Sequence, residues 1–123
     1  MRLAASDLGV AEAPRGARVV PDTLCFLAQQ AAEKGLKAVL RSRGVVFPRT
    51  HNLRVLLGLL PEDVAVPPDV EDAAALSAYA VGSRYPDARE PVTEDELATA
   101  VRLARAVVQW AEALLAAPRR GDP

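Results

Sequence analysis

The sequence is poor in the residues that build cross-linked, metal-binding or membrane-spanning proteins. Cys25 is the only cysteine among 123 residues, aromatic residues make up 4%, and there is one histidine. A single cysteine excludes a disulfide framework, and we expect Cys25 to pack as a small hydrophobe. No apolar run approaches the ~20 residues of a membrane span, and the first ten residues lack the apolar core of a signal peptide. These absences predict a cytoplasmic protein without a metal or a cofactor.

The charge is nearly balanced, and its positive part is almost all arginine. Fifteen basic and sixteen acidic residues give a net charge of −1. Because a broad grip on nucleic acid requires an excess of positive charge, we expect any anion site to be local. Arginine suits such a site, since its planar group binds phosphate and carboxylate with two parallel contacts. The sequence has no glycine-rich phosphate loop, so nucleotide binding would depend on arginines and helix ends.

The proline-free stretch from Asp22 to Arg43 predicts the central helix of the fold. At 100° per residue, small and aliphatic side chains fall on one half of its circumference and polar side chains on the other. Two large apolar residues interrupt the polar half, which indicates a surface that a partner covers. We therefore predict a homodimer interface made by Phe26, Gln30, Glu33 and Leu40. The alternative is that the N-terminal segment of the same chain covers Phe26.

Weaker signals predict three shorter helices around the central one. Residues 2–13 have leucine and alanine on one side, and the leucines between 53 and 60 follow the i, i+3, i+4, i+7 spacing of a helix that starts near residue 50. Gly44 is expected to end the central helix, and the chain after it is expected to be extended because Phe47 precedes a proline. Asp69 is predicted to cap a fourth helix that runs toward residue 84.

The last helix has the clearest start signal. Thr93 and Glu96 have the spacing of a capping box, and apolar residues then alternate in steps of four and three as far as about Ala117. Residues 1–118 therefore predict one all-α domain, an up-down antiparallel bundle of four main helices plus a short N-terminal helix. Residues 119–123 are expected to form a disordered tail.

Basic and aromatic residues are predicted to gather at one end of this bundle. Antiparallel packing would bring together the ends of the central and fourth helices and the starts of the third and last helices. We predict a ligand site there, assisted by the amide groups at the start of the third helix, and made by Arg49, His51, Arg84 and Tyr85 with Lys37 or Arg41. Two alternatives stay open: the charges cap helix ends, or the loop after Gly44 runs back and places His51 near the middle of the bundle.

Three blocks of sequence resemble the HEPN domain family of prokaryotes. They are FLAQQAAEKGLKAVL from Phe26, RTHNLRVLL from Arg49 and SRYPD from Ser83, in the order and spacing of the family. The resemblance covers roughly residues 24–115 and implies a helical bundle that binds nucleotides. Many HEPN proteins are metal-independent ribonucleases with an arginine four to six residues before a histidine. Here residues 45–47 are valine, valine and phenylalanine, so the resemblance predicts a chain without that activity.

Three classes of function follow from these features. The first is a non-catalytic module that binds a nucleotide or RNA and acts with a small nucleotidyltransferase, the partner that the resemblance implies, in a toxin–antitoxin-like system. The second is a ribonuclease with an atypical site at His51 and Arg84. The third is a purely structural homodimer. We favour the first, and a nucleotidyltransferase gene beside this one would separate it from the others.

Overall fold

The computed structural model describes residues 1–13, 20–82 and 91–116. Within these ranges every regular element is a helix, so the all-α fold is confirmed. None of the described helices is both long and apolar enough to cross a membrane. The elements are α1 (Arg2–Glu12), α2 (Pro21–Ser42), α3 (Leu53–Gly58), α4 (Pro68–Asp72), a 3-10 turn (Ala73–Ser77), α5 (Ala78–Gly82) and α6 (Glu94–Ala116).

Helix α2 is central, as its sequence predicts, but it is buried on more sides than one apolar half would require. It packs most extensively against α6 and α1, and it also contacts α3, α5 and the 3-10 turn. As a result Gln29 and Glu33 are buried, and Leu40 has no exposed surface at all. The expectation that Leu40 lies on an outer polar face is therefore wrong, because neighbouring elements of the same chain cover that side of the helix.

Helices α2 and α6 lie close together at Gly35. A Cβ atom placed on this residue would lie 3.3 Å from Val107 Cγ1 and 3.7 Å from the Cβ of Ala111. Gly35, Val107 and Ala111 are all fully or nearly fully buried. The absence of a side chain at residue 35 thus lets the two longest helices pack closely.

The direction of the helices differs from a simple up-down arrangement. Helix α1 is antiparallel to α2, since Lys34 binds Asp7 and the first residues of α1 lie beside Lys37 and Arg41. Helix α6 is parallel to α2, because the backbone amide of Val92 donates to Asp22 at the start of α2 and later residues meet near Gly35. The expectation that α6 begins near the end of α2 is wrong.

The reason lies in the short α3. The loop after α2 runs back along that helix, so α3 begins beside the middle of α2, where the carbonyl of His51 accepts from Gln29. The residues before α4 lie beside the second half of α6, where Trp110 Nε1 donates to the carbonyl of Ala65 at 2.9 Å. The segment from α4 to α5 then runs antiparallel to α6, since Asp69 pairs with Arg102 and Tyr79 lines the same groove as Glu96 near the start of α6. Helix α6 therefore runs in the direction of α2.

Most helix ends follow their local signals. Thr93 and Glu96 form the predicted capping box, with reciprocal hydrogen bonds of 3.0 and 3.2 Å, and Gly44 ends α2 with a φ of 70°. One cap differs from the prediction. Pro67 caps α4 and Pro68 is its first residue, so Asp69 lies in the first turn instead of capping it.

The predicted fourth helix is not continuous. Helix α4 is followed by the 3-10 turn and then by α5, and together they run from Pro68 to Gly82. Four of the seven residues from Asp72 to Ala78 are alanines, the residue with the highest helix propensity, so local propensity does not account for the interruption. The Oγ of Ser77, in this turn, accepts from the backbone amide of Leu53 at 2.8 Å, which ties the turn to the start of α3.

Candidate functional site

The candidate site forms where the loop from Gly44 to Asn52 lies against the second half of α2. Phe47 in this loop is half-buried beside Lys37 and Arg41. His51 lies one helical turn further back, against Glu33. The interpretation that places His51 near the middle of the bundle is therefore confirmed.

Glu33 is the centre of the site. Its side chain is only 7% exposed, yet it carries three hydrogen bonds. Gln29 Nε2 donates to Oε1 at 3.0 Å, and Lys37 Nζ donates to Oε2 at 3.0 Å. His51 Nδ1 lies 2.8 Å from Oε1. The carboxylate is thus fully engaged, and its role is to hold the groups around it.

Gln29 is fixed in turn by two further contacts. Its amide nitrogen also donates to the carbonyl of His51 at 3.2 Å, and its oxygen accepts from Gln30 Nε2 at 2.6 Å. These partners determine which end of the amide points toward Glu33. Consecutive turns of α2 therefore supply Gln29, Glu33 and Lys37 on one line, as the i, i+4 geometry of a helix requires.

The electrostatics keep Glu33 ionised. Burial raises its pKa, but hydrogen bonds from Gln29, His51 and Lys37 and the charge of Lys37 lower it by more, so the pKa of Glu33 lies below its ordinary value of 4.5. An ionised carboxylate only accepts hydrogen bonds. Near neutral pH the site is therefore a buried anion surrounded by donors.

Lys37 and Arg41 both lie over the aromatic ring of Phe47. Lys37 Nζ lies 5.7 Å from the ring centre, and the guanidinium carbon of Arg41 lies 5.2 Å from it. Both distances are within the range of cation–π attraction. Arg41 is exposed and makes no ion pair with any described residue. Its charge is therefore available to a ligand.

A groove between α1 and α2 adjoins these cations. Its volume is about 480 Å³. The basic residues along it differ in how they are paired, since Lys34 binds Asp7 at 2.5 Å and Lys37 binds Glu33, whereas Arg2 and Arg41 make no ion pair within the described ranges. The groove therefore has a net positive charge at the end of α2.

The start of α3 does not offer the anion seat that the sequence suggests. The backbone amides of Asn52, Leu53 and Arg54 already donate to Thr50 Oγ1, Ser77 Oγ and Asn52 Oδ1. Because α3 begins with occupied amide groups, that part of the prediction is wrong. Any anion must bind to side chains instead.

The predicted ligand residues have three different outcomes. Lys37, Arg41 and His51 lie together around Glu33 and Phe47, as described above. Arg49 is exposed in the same loop, and the described residues provide it with no hydrogen bond or ion pair. Arg84 and Tyr85 fall outside the described residues.

The predicted interface residues divide into two pairs. Phe26 and Gln30 are half-buried, so part of each side chain reaches the surface. Glu33 and Leu40 are buried within the chain. Only the first pair is accessible to another molecule.

Sequence reasoning missed the central place of Gln29 and Glu33. The helical pattern assigns both to a polar face because of their chemistry, and a buried glutamate is uncommon. One signal was present, namely the line of Gln29, Glu33 and Lys37 at i, i+4 spacing in a chain with a single histidine to face it. Among the described residues there is no group of histidine, cysteine, aspartate and glutamate side chains able to hold a metal ion.

Comparisons with known proteins agree with the fold. No curated protein matches the chain. The crystal structure of TT1696 from Thermus thermophilus is 37% identical over 92% of this chain and 93% of that one, with a TM-score of 0.80. ST0689, described as an archaeal HEPN homologue, is 28% identical over 91% of both chains, with a TM-score of 0.69. The family model described as HEPN domain matches residues 2–114, and the chain therefore belongs to the HEPN domain family.

Proposed function

We propose that the chain is a cytoplasmic, non-catalytic HEPN module that binds a phosphate-bearing ligand and acts with a nucleotidyltransferase partner. One observation carries the ligand site. Lys37 and His51 are held by the same buried carboxylate, and Arg41 shares the ring of Phe47 with Lys37. The ammonium group of Lys37, the imidazole of His51 and the guanidinium group of Arg41 thus lie along α2.

Preorganisation supports binding at this place. The side chain of Lys37 is 17% exposed and is held by Glu33, so little of its freedom remains to be lost when a ligand binds. Arg41 supplies a planar donor group for phosphate oxygens. The adjoining groove of about 480 Å³ falls within the size range of small-molecule sites, roughly 300–1,000 Å³.

Titration of nucleotides and short RNA into the purified protein tests this site. One charge-assisted contact is worth about 1.5–3 kcal/mol, so we expect Arg41→Ala or Lys37→Ala to weaken binding about tenfold or more. The matched control is Arg102→Ala, which removes an exposed arginine of α6 that pairs with Asp69. Equal affinities for the wild type and both site variants would exclude the site.

Arg84 and Tyr85 remain part of the proposed site on the strength of their sequence block alone. We expect Arg84→Ala to weaken the same ligands about tenfold, by loss of a two-pronged contact to phosphate. A lower melting temperature of the ligand-free variant, with unchanged affinity, would instead assign Arg84 a structural role.

The partner is proposed from family membership, since HEPN proteins similar to this one are commonly encoded beside a small nucleotidyltransferase. The toxin–antitoxin-like role follows by the same analogy. Co-expression with a neighbouring nucleotidyltransferase, followed by purification through a tag on one chain only, tests it. If the two proteins separate at micromolar concentration, both the partner and the role would have to be withdrawn.

A ribonuclease is the second candidate, and one observation favours it. His51 has the oriented partner that a general base requires, because Glu33 holds its Nδ1. The missing arginine spacing before His51 argues against it, so we expect no metal-independent cleavage of unstructured RNA. Cleavage that disappears in His51→Ala would reverse this preference.

Homodimerisation remains a proposal that the accessible pair supports. Phe26 and Gln30 lie on α2 with part of their surface free. Light scattering at tens of micromolar tests it, and Phe26→Ala is the variant expected to lower the measured mass. A monomeric mass for the wild-type protein would eliminate the structural dimer.

A further inference from the structure

The orientation of His51 indicates which chemical class of phosphate ligand the site accepts. This inference rests on the proposed function. His51 Nδ1 lies 2.8 Å from Glu33 Oε1. Because an ionised carboxylate only accepts, the proton between the two atoms belongs to Nδ1. In the neutral imidazole the other nitrogen, Nε2, is then an acceptor with a free lone pair. Glu33 thus holds His51 as an acceptor toward the outside.

The ring of His51 is at the surface, and a cation binds to the carboxylate that holds it. The side chain of His51 is 58% exposed, whereas that of Glu33 is 7% exposed. Lys37 Nζ binds the second oxygen of the same carboxylate at 3.0 Å. Since both groups contact one carboxylate, the imidazole ring of His51 and the ammonium group of Lys37 are neighbours.

His51 Nε2 needs a hydrogen-bond donor and Lys37 needs an acceptor, and a simple anion provides only the acceptor. A phosphate monoester dianion consists of acceptors only, so it satisfies Lys37 and Arg41 but offers nothing to the lone pair of Nε2. The matching ligand has a donor next to its phosphate. A hydroxyl group on the neighbouring carbon of a sugar is such a donor.

We propose that the site takes a phosphate ester of a sugar that carries a free hydroxyl next to the esterified carbon, with the hydroxyl donating to His51 Nε2. The phosphate then contacts Lys37 and Arg41. A ribose 3′-phosphate has this arrangement, whether it is a free nucleotide or the end of an RNA strand. The corresponding 2′-deoxyribose compound lacks the donor.

Two matched nucleotides test the proposal directly. Adenosine 3′-monophosphate and 2′-deoxyadenosine 3′-monophosphate are titrated into untagged protein at about pH 8. We expect the wild type to prefer the ribose compound about fivefold, the effect of one net neutral hydrogen bond. His51→Ala should abolish this preference, so that the two compounds bind the variant equally well.

Glu33→Gln separates the orientation of the ring from its mere presence. The amide of the new side chain can donate to Nδ1, so the proton of His51 can move to Nε2 and the acceptor is lost. We expect the ribose preference to disappear although His51 remains. His51 is the only histidine in the chain, so nitrogen-15 NMR of the imidazole reports its tautomer without overlap.

The outcomes distinguish this inference from the proposed function. Equal binding of the two nucleotides to the wild type, with both weakened by Lys37→Ala, would overturn the inference and leave the phosphate site intact. A wild-type spectrum with the lone pair on Nδ1 would also overturn it. If neither nucleotide binds to the wild type, both the inference and the proposed phosphate site are refuted. Titration of a short RNA with a 3′-phosphate identifies the source of the ligand. Tighter binding than the mononucleotide indicates the end of an RNA strand, and equal binding indicates a free nucleotide.

Discussion

Replacement of Glu33 by alanine tests the central feature of the site, a buried carboxylate that holds three donors. The cost can be worked out donor by donor. Gln29 keeps its second contact to the carbonyl of His51, and His51 is exposed enough to be hydrated. Lys37 is different, because its side chain is only 17% exposed and loses its one carboxylate. One poorly hydrated cation therefore remains without its counter-ion.

The expected loss of stability follows from this accounting. Leaving one partner of a buried pair uncompensated costs about 3–5 kcal/mol. The rehydration of His51 and the retained contact of Gln29 reduce the figure, so we expect Glu33→Ala to lower the free energy of unfolding by about 2–3 kcal/mol. Unfolding in urea, followed by far-ultraviolet circular dichroism, measures it. Glu12→Ala is the control, since its exposed pair with Arg105 should contribute about 0–1 kcal/mol.

The pH dependence provides a second reading of the same residue. The pKa of Glu33 is lower in the folded chain than its ordinary value of 4.5, because the donors outweigh the effect of burial. The stabilisation is therefore complete above the unfolded pKa and is lost as the pH falls through the folded one. The difference in stability between wild type and Glu33→Gln should shrink as the pH is lowered from neutral to below 4.5. A difference that stays constant with pH, or Glu33→Ala as stable as the wild type, would refute the reasoning.

Three further substitutions test the packing. Thr93→Ala removes half of the capping box of α6 and should cost about 1 kcal/mol in urea unfolding; no change would mean that water replaces the cap. Leu40→Ala empties a fully buried site and should cost about 2–5 kcal/mol without changing the mass in light scattering. If Leu40→Ala lowered the mass in light scattering without lowering the stability, Leu40 would be an interface residue instead. Gly35→Leu places a side chain against Val107 and should cost about 1–3 kcal/mol by overpacking, whereas a neutral effect would show that α2 and α6 can separate.

The fold was largely readable from the sequence because its strongest signals are local. Glycine after the end of α2 and the Thr93–Glu96 box each act within one helical turn. The direction of α6 was not readable, since it depends on how the chain travels between α2 and α6. That path is set by the length of α3 and by a loop that runs back, and neither is encoded in a short pattern.

The site was only partly readable, for a different physical reason. Helical periodicity shows which residues share a face of α2, but not how many neighbours that helix has. Because α2 is contacted on several sides, polar residues at positions 29 and 33 became buried. The sequence identified His51 and Lys37 as site residues. The role of Glu33 between them could be recognised only once the path of the loop was known.

The distribution of charge explains how a nearly neutral chain can carry an anion site. Between residues 34 and 54 there are six lysines and arginines and no carboxylate, while residues 55 to 82 have five carboxylates and no lysine or arginine. The first segment contains the second half of α2 and the loop that runs back along it. Folding this segment onto itself brings two of its cations together, since lysine and arginine at residues 37 and 41 then meet the aromatic ring at residue 47. Net charge describes the solubility of the chain; the order of the charges along it determines where an anion can bind.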